Sequence, residues 1–300
     1  MSSAVSTPAH TFGAAAAGLV RAVRPRQWVK NVLVLAAPLA AGVIGEADVL
    51  AAVAVAFVAF CLASSGVYLV NDVVDATADR EHPTKRHRPI AAGIVSPRSA
   101  IAVAVVLLVG SLTLSVFASP RLLLVIGVYI AVQLGYCFGL KHQPVIDLCI
   151  VASGFLLRGI AGGAAAELRL SQWFLLAAAF GSLFMVSGKR YAEIRLAERT
   201  GARIRRSLEL YSASYLRFVW ALSATILIMT YGLWAFEIGG PRDSPWAVVS
   251  MVPFVVAVLR YAVDVDGGDA GEPEQIALSD RVLQLLAMAW LGTLLLSVYL

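Results

Sequence analysis

Nine apolar runs, each close to the length of a bilayer crossing, dominate this 300-residue chain. They cover residues 28–45, 49–70, 97–117, 121–139, 145–165, 171–188, 214–236, 245–263 and 281–299. A hydrocarbon core of about 30 Å takes about 20 helical residues to cross, because each residue advances about 1.5 Å. None of the runs alternates with period two, which removes a transmembrane β-barrel. Charged residues make up 14% of the chain and hydrophobic ones 59%, whereas an ordinary soluble domain carries roughly 25% charge. The expected fold class is an all-α polytopic membrane protein with nine transmembrane helices.

If the runs alternate in direction, the basic residues fall on one side. Of 24 lysines and arginines, only Arg121, Arg169 and Arg242 go to the opposite face, and Arg158 stays inside a span. The positive-inside rule then makes the N-terminus and the loops 71–96 and 189–213 cytoplasmic, in a multi-pass protein of the inner or plasma membrane. The opposite loops, "GEAD", "SP", "AAAELRLS" and "EIGGPRDSP", carry little chemistry. Residues 1–20 lack a charged start and a long apolar stretch, so they read as a disordered segment rather than a cleaved signal, ahead of one transmembrane catalytic domain over 21–300. Cys61, Cys137 and Cys149 have no metal or disulfide spacing and read as small buried hydrophobes. The acidic, Gly-rich 264–280 loop reads as a solvated connector.

Charge concentrates in "NDVVDATADREHPTKRHRP", residues 71–89. Asp72, Asp75 and Asp79 share one face of a continuing helix, with Asn71 beside them. Like charges on one stripe repel unless a cation sits between them, and Mg²⁺ takes a few carboxylates and completes its octahedron with water and substrate phosphate. Ionisable groups at the mouth of a membrane helix are costly and mark a site. Lys85, Arg86 and Arg88 downstream supply donors for phosphate oxygens. His82 and His87 lack the thiolates a softer metal would want nearby.

Further polar groups stand at other cytoplasmic helix ends. Tyr136, Lys141 and Asp147 flank the junction of the fourth and fifth runs, and Lys189 and Arg190 close the sixth. Arg26 and Lys30 lie one helical turn apart beside Trp28, a residue suited to the interfacial aromatic belt. Arg158 follows Asp147 by eleven residues and should avoid lipid by turning inward, to a lipid phosphate or a structural carboxylate. The basic 199–217 segment reads as an amphipathic interfacial helix.

The run "NDVVDATADR" resembles the NDxxDxxxD signature of the UbiA superfamily of intramembrane prenyltransferases. The stretches "RPRQWVKN" (24–31), "DLCIVASGFLLRGIAGG" (147–163) and "SGKRYAE" (187–193) are similar to the branch that moves a phosphoribosyl group onto a lipid phosphate. The resemblance implies helices around a central cavity open to the cytoplasm. It also implies Mg²⁺ on Asp72, Asp75 and Asp79, and transfer from 5-phosphoribosyl 1-diphosphate to a polyprenyl (decaprenyl) phosphate for cell-wall arabinan precursors. Where relatives place a second acid pair, this chain has Asp147 followed four residues on by Val151. One metal held mainly by the first motif, with Asp147 assisting through water, fits that departure. Prenyl transfer to an aromatic acceptor is the rival reading and a transporter a remoter one. Nothing points to a nucleic acid partner, and composition leaves monomer and homo-oligomer both open.

Overall fold

The computed structural model describes residues 12–201, 208–239, 244–268, 276 and 279–299. Every regular element among them is helical. In chain order these are α1 (Phe12–Ala22), a 3₁₀ helix (Pro25–Leu35), α2 (Ala36–Ala40), α3 (Ala47–Val74) and α4 (Ala76–Glu81). A 3₁₀ turn at Lys85–His87 leads to α5 (Pro97–Ala118) and α6 (Pro120–Cys137), and another at Leu140–His142 to α7 (Ile146–Ala165). Then come α8 (Gln172–Thr200), α9 (Ala213–Gly239), α10 (Pro245–Val249), α11 (Met251–Gly267) and α12 (Arg281–Tyr299).

Seven of these, among the described residues, are long and apolar enough to cross a membrane: α3, α5, α6, α7, α9, α10 with α11, and α12. The expected nine is therefore not met by nine uniform spans. The first run breaks into the 3₁₀ helix and the five-residue α2. In α8 the 29 residues suffice in length, but the C-terminal third, from Lys189 to Arg199, is densely charged. The expected disordered start over 1–20 is corrected as well. Residues 12–22 form α1, where an Ala-rich run favours helix; residues 1–11 lie outside the described residues.

Serines start several helices. Ser96 and Ser119 each precede a proline and accept the backbone N–H of Ser99, or of Arg121 and Leu122. Ser171 does the same for Trp173. A hydroxyl in this position satisfies an N–H that the first turn leaves orphaned, and proline at the first helical position loses nothing by lacking its own.

The chain divides into two compact units. The first holds residues up to Val32 together with Val55–Phe138. Here Ser111 on α5 donates to the Ala59 carbonyl of α3 at 2.8 Å, and Gly66 leaves room for Leu108, whose Cγ would stand 2.8 Å from an added Cβ. Apolar side chains of α5 and α6, such as Val106, Phe117 and Leu124, are exposed, as suits helices bathed in hydrocarbon.

The second unit holds Leu33–Ala54 and Gly139–Leu300. Its larger core gathers Leu148, Phe184, Tyr191, Leu216, Val258 and Val265 from α7, α8, α9 and α11. A smaller core collects Tyr231, Trp234, Leu294 and Val298. Within it Trp290 donates its indole N–H to the Tyr231 hydroxyl at 2.7 Å, and that hydroxyl also bonds Ser250 at 2.7 Å. Gly162 of α7 lies so close to the Val34 carbonyl that any side chain there would collide with it.

Candidate active site

In the first unit, α3 delivers Asp72 to a buried position near its C-terminal end, and the helical hydrogen bonds continue past its formal end. Asp75 N–H donates to Asn71 O at 2.9 Å, and Asp79 N–H to Asp75 O at 2.8 Å. Asp75 itself adopts φ −86° and ψ 0°, a local break between α3 and α4. The aspartate stripe expected for a continuing helix is thus kept with a kink. Asp72 and Asp79 are buried and Asp75 is half-buried.

Two arginines meet the buried pair. Arg88 Nη1 lies 3.1 Å from Asp72 Oδ1 and 2.7 Å from Asp79 Oδ2, so a single nitrogen bridges both carboxylates. Arg24 Nη2 reaches Asp72 Oδ1 at 2.5 Å, and its guanidinium lies 4.7 Å from the ring centre of Tyr68, one helical turn before Asp72. Stacking on an aromatic face and pairing with a carboxylate use different sides of the same planar group.

Arg24 was not singled out by the sequence reading, which favoured Arg26 and Lys30. Their shared face requires an α-helix, and residues 25–35 wind as a 3₁₀ helix of three residues per turn, which separates positions four apart. Arg26 is exposed and Lys30 half-buried. The available signal for Arg24 was its place directly before Pro25. Its φ of 55° is uncommon for a residue other than glycine and directs its side chain to the acids. Trp28, expected in an interfacial belt, donates to Ser65 Oγ at 3.0 Å, and Ser65 donates on to the Val23 carbonyl. Lys85 is half-buried, whereas Arg86 is exposed beside His87. Tyr136 is half-buried near the end of α6.

In the second unit, Asp147 stands in the first turn of α7 and is buried. Its Oδ2 accepts from Arg190 of α8, and its Oδ1 accepts from the Tyr211 hydroxyl and from Leu148 N–H at 2.8 Å. The Tyr211 hydroxyl also accepts the Val145 N–H at 2.6 Å. Burial first, and then the bond to Asp147, push the Tyr211 phenol above its ordinary range. Asp147, expected to assist a metal through water, has both its oxygens engaged by protein donors. Tyr211 was also missed, since nothing in "LELYSASY" distinguishes it by charge or spacing.

Arg158, expected to turn inward, is buried and donates back to the Gly154 carbonyl at 2.6 Å on its own helix. Lys141 and Lys189 are half-buried, on the Leu140–His142 turn and beside Arg190 respectively. Farther along α8, the Tyr191 hydroxyl bonds Asp266 of α11 at 3.1 Å and receives Arg217 of α9 at 2.6 Å. Arg217 lies near the start of α9, and the expected interfacial helix over 199–217 is not formed as one piece. Instead α8 ends at Gly201 in the left-handed conformation, residues 208–212 are non-helical, and 202–207 lie outside the described residues. The 264–280 connector is likewise only partly described, with α11 running on to Gly267. Cys61 and Cys137 are buried as expected, but Cys149 is exposed on α7.

Among the described residues, no three acidic, histidine or cysteine side chains form a ready-made metal group. Asp72 and Asp79 nevertheless fit a divalent cation. Two buried carboxylates converge on one position that a cationic nitrogen now fills, and hard oxygen donors are what Mg²⁺ takes.

The chain belongs to the UbiA prenyltransferase family, whose pattern matches residues 31–297, and it is accordingly a multi-pass membrane protein. It is 65% identical over 281 residues to the decaprenyl-phosphate phosphoribosyltransferase of Mycobacterium tuberculosis, covering 92% of this chain and 93% of that one. It is 61% identical over 294 residues to the protein of that name from Mycolicibacterium smegmatis, covering 94% and 92%. The fold is similar to that of a UbiA homolog from Archaeoglobus fulgidus bound to DMAPP and Mg²⁺, with a TM-score of 0.71, 15% identity, and coverage of 94% of this chain and 99% of that one.

Proposed function

We propose that this chain transfers a 5-phosphoribosyl group from 5-phosphoribosyl 1-diphosphate to decaprenyl phosphate or a similar polyprenyl phosphate, at the cytoplasmic face of the plasma membrane. The observation that carries this reading is the convergence of buried Asp72 and Asp79 on one cationic position. It occurs in a chain whose relatives at 61% and 65% identity bear that activity in their names.

In the reaction, an oxygen of the lipid phosphate attacks C1 of the ribose. The C1–O bond to diphosphate breaks, and diphosphate leaves with the bonding electron pair. Direct displacement inverts C1, from an α donor to a β product. The nucleophile is already an anion and needs no strong general base. Asp72, Asp79 and Asp75, with Asn71 alongside, would hold Mg²⁺, which when bound would neutralise the charge that develops on the leaving diphosphate. Arg24 holds Asp72 in place, and Arg88, whose nitrogen stands between the two carboxylates, would yield that position to the metal and turn to a phosphate. Lys85, Arg86, Lys141, Lys189 and Arg190 are the cations from which the phosphate-binding groups are drawn, and Tyr136, Arg26, Lys30 and Arg158 belong to the wider candidate set.

The test is incubation of purified protein with labelled 5-phosphoribosyl 1-diphosphate, polyprenyl phosphate and Mg²⁺, and separately with a prenyl diphosphate and aromatic acceptors. Magnesium-dependent transfer of label to lipid in the first mixture is expected. Its absence there, with transfer in the second, would establish prenyl transfer instead.

A further inference from the structure

Asp147 is a buried acid that the displacement at C1 does not use. Arg190, Tyr211 and Leu148 N–H all donate to it, so both its oxygens are committed to the protein. The arrangement is specified from three sides. Val145, a β-branched residue, sits at φ 68° just before α7, a conformation that persists only where its surroundings over-determine it. The N–H of that residue is taken by the same Tyr211 hydroxyl that donates to Asp147. The Tyr211 ring in turn stacks on Tyr215 of α9, with centres 5.8 Å apart and planes 18° apart. One side chain therefore ties a strained turn, the acid and the start of α9 together.

The partner held by this assembly is Arg190, whose side chain is only 11% exposed. A guanidinium carries five N–H donors in a rigid fork, and a carboxylate on one edge leaves the others directed outward. Lysine would not keep that geometry. We propose that Asp147 and Tyr211 are positioning residues that fix the Arg190 guanidinium for a phosphate of the phosphoribosyl donor, and that Asp147 is not a metal ligand. This rests on the reaction proposed above and assigns the second acidic position a role distinct from the first.

The test uses full-length protein in lipid nanodiscs, comparing wild type with Tyr211→Phe, Asp147→Asn, Arg190→Gln and the Asp147→Asn/Arg190→Gln pair. KM for 5-phosphoribosyl 1-diphosphate, KM for polyprenyl phosphate and kcat are measured, with Mn²⁺ affinity read by electron paramagnetic resonance. Tyr211→Phe, which removes one hydroxyl and leaves the ring stack, should raise the donor KM about tenfold, the worth of one bond to a charged group. The lipid KM, kcat and Mn²⁺ affinity should stay within about twofold, a split that loss of folding would not produce. The double variant should be no worse in donor KM than Arg190→Gln alone, because residues acting through one another are not additive. Loss of Mn²⁺ binding in Asp147→Asn, multiplied penalties in the double variant, or an unchanged donor KM in Tyr211→Phe each overturn the inference. A wild type that transfers no phosphoribosyl label at all instead sinks the parent reaction, and the inference with it.

Discussion

Arg24 Nη2 lies 2.5 Å from Asp72 Oδ1, joining the first basic cluster of the chain to its first acidic one across 48 residues. Replacing Arg24 by glutamine leaves Asp72 buried with half of its cationic support. A loss of about 1–3 kcal/mol in stability is expected from a charged hydrogen bond removed at a buried acceptor, with a fall of at least about tenfold in turnover. Arg21→Gln, three residues away and exposed, should change turnover by less than about twofold and stability by no more than about 0.5 kcal/mol. Turnover assays and thermal unfolding of the two variants, run side by side, check the contrast; equal effects would contradict it.

Arg88 bridges Asp72 and Asp79 through one nitrogen. Without it the carboxylates repel across a position open to a metal. Arg88→Gln should therefore lower Tm in chelator, and added Mg²⁺ should raise the variant's Tm by more than it raises that of wild type, since a ligand stabilises the state it binds by mass action. Tm measured across a magnesium titration decides the matter, and equal shifts for the two proteins would rule it out.

Gly162 faces the Val34 carbonyl with no space for a methyl group. Gly162→Ala must push α7 away from the residues before α2, at a cost of about 1–3 kcal/mol or more by overpacking. Gly159→Ala, on the same helix with nothing within 4 Å of an added Cβ, should be tolerated. Fluorescence-detected size exclusion after a heating series would separate the pair.

Tyr211 has its phenol pushed up by burial and by Asp147. A raised folded value means the stabilisation is complete below the ordinary tyrosine range of about 10 and is lost as pH climbs toward the folded value. Wild type should lose Tm above about pH 10 more steeply than Tyr211→Phe, which has no phenol to ionise. Parallel Tm curves for the two proteins would exclude this contribution.

How much was legible beforehand differs between the two units. Asp72, Asp79 and Arg88 were readable because acids at helical spacing next to a basic run leave a local signature, and ion pairs bring the three together. Asp147 and Arg190 were both singled out, but not as partners, because 43 residues separate them and only folding brings them together. Arg24 was hidden by the 3₁₀ winding of 25–35, a choice of period that apolar content does not encode. Tyr211 carried no charge to mark it. Helix positions followed well from apolar length, as in α5 and α12, while the break of the first run into two short pieces did not, since hydropathy reports burial and not backbone continuity.

The internal balance of Asp72 and Asp79 by Arg24 and Arg88 bears on the order of assembly. Two acids and two guanidinium groups make a locally neutral package at the end of α3. The chain can therefore enter the bilayer and close its first unit before any divalent ion arrives. A divalent ion at this position would be a late addition to a unit already closed.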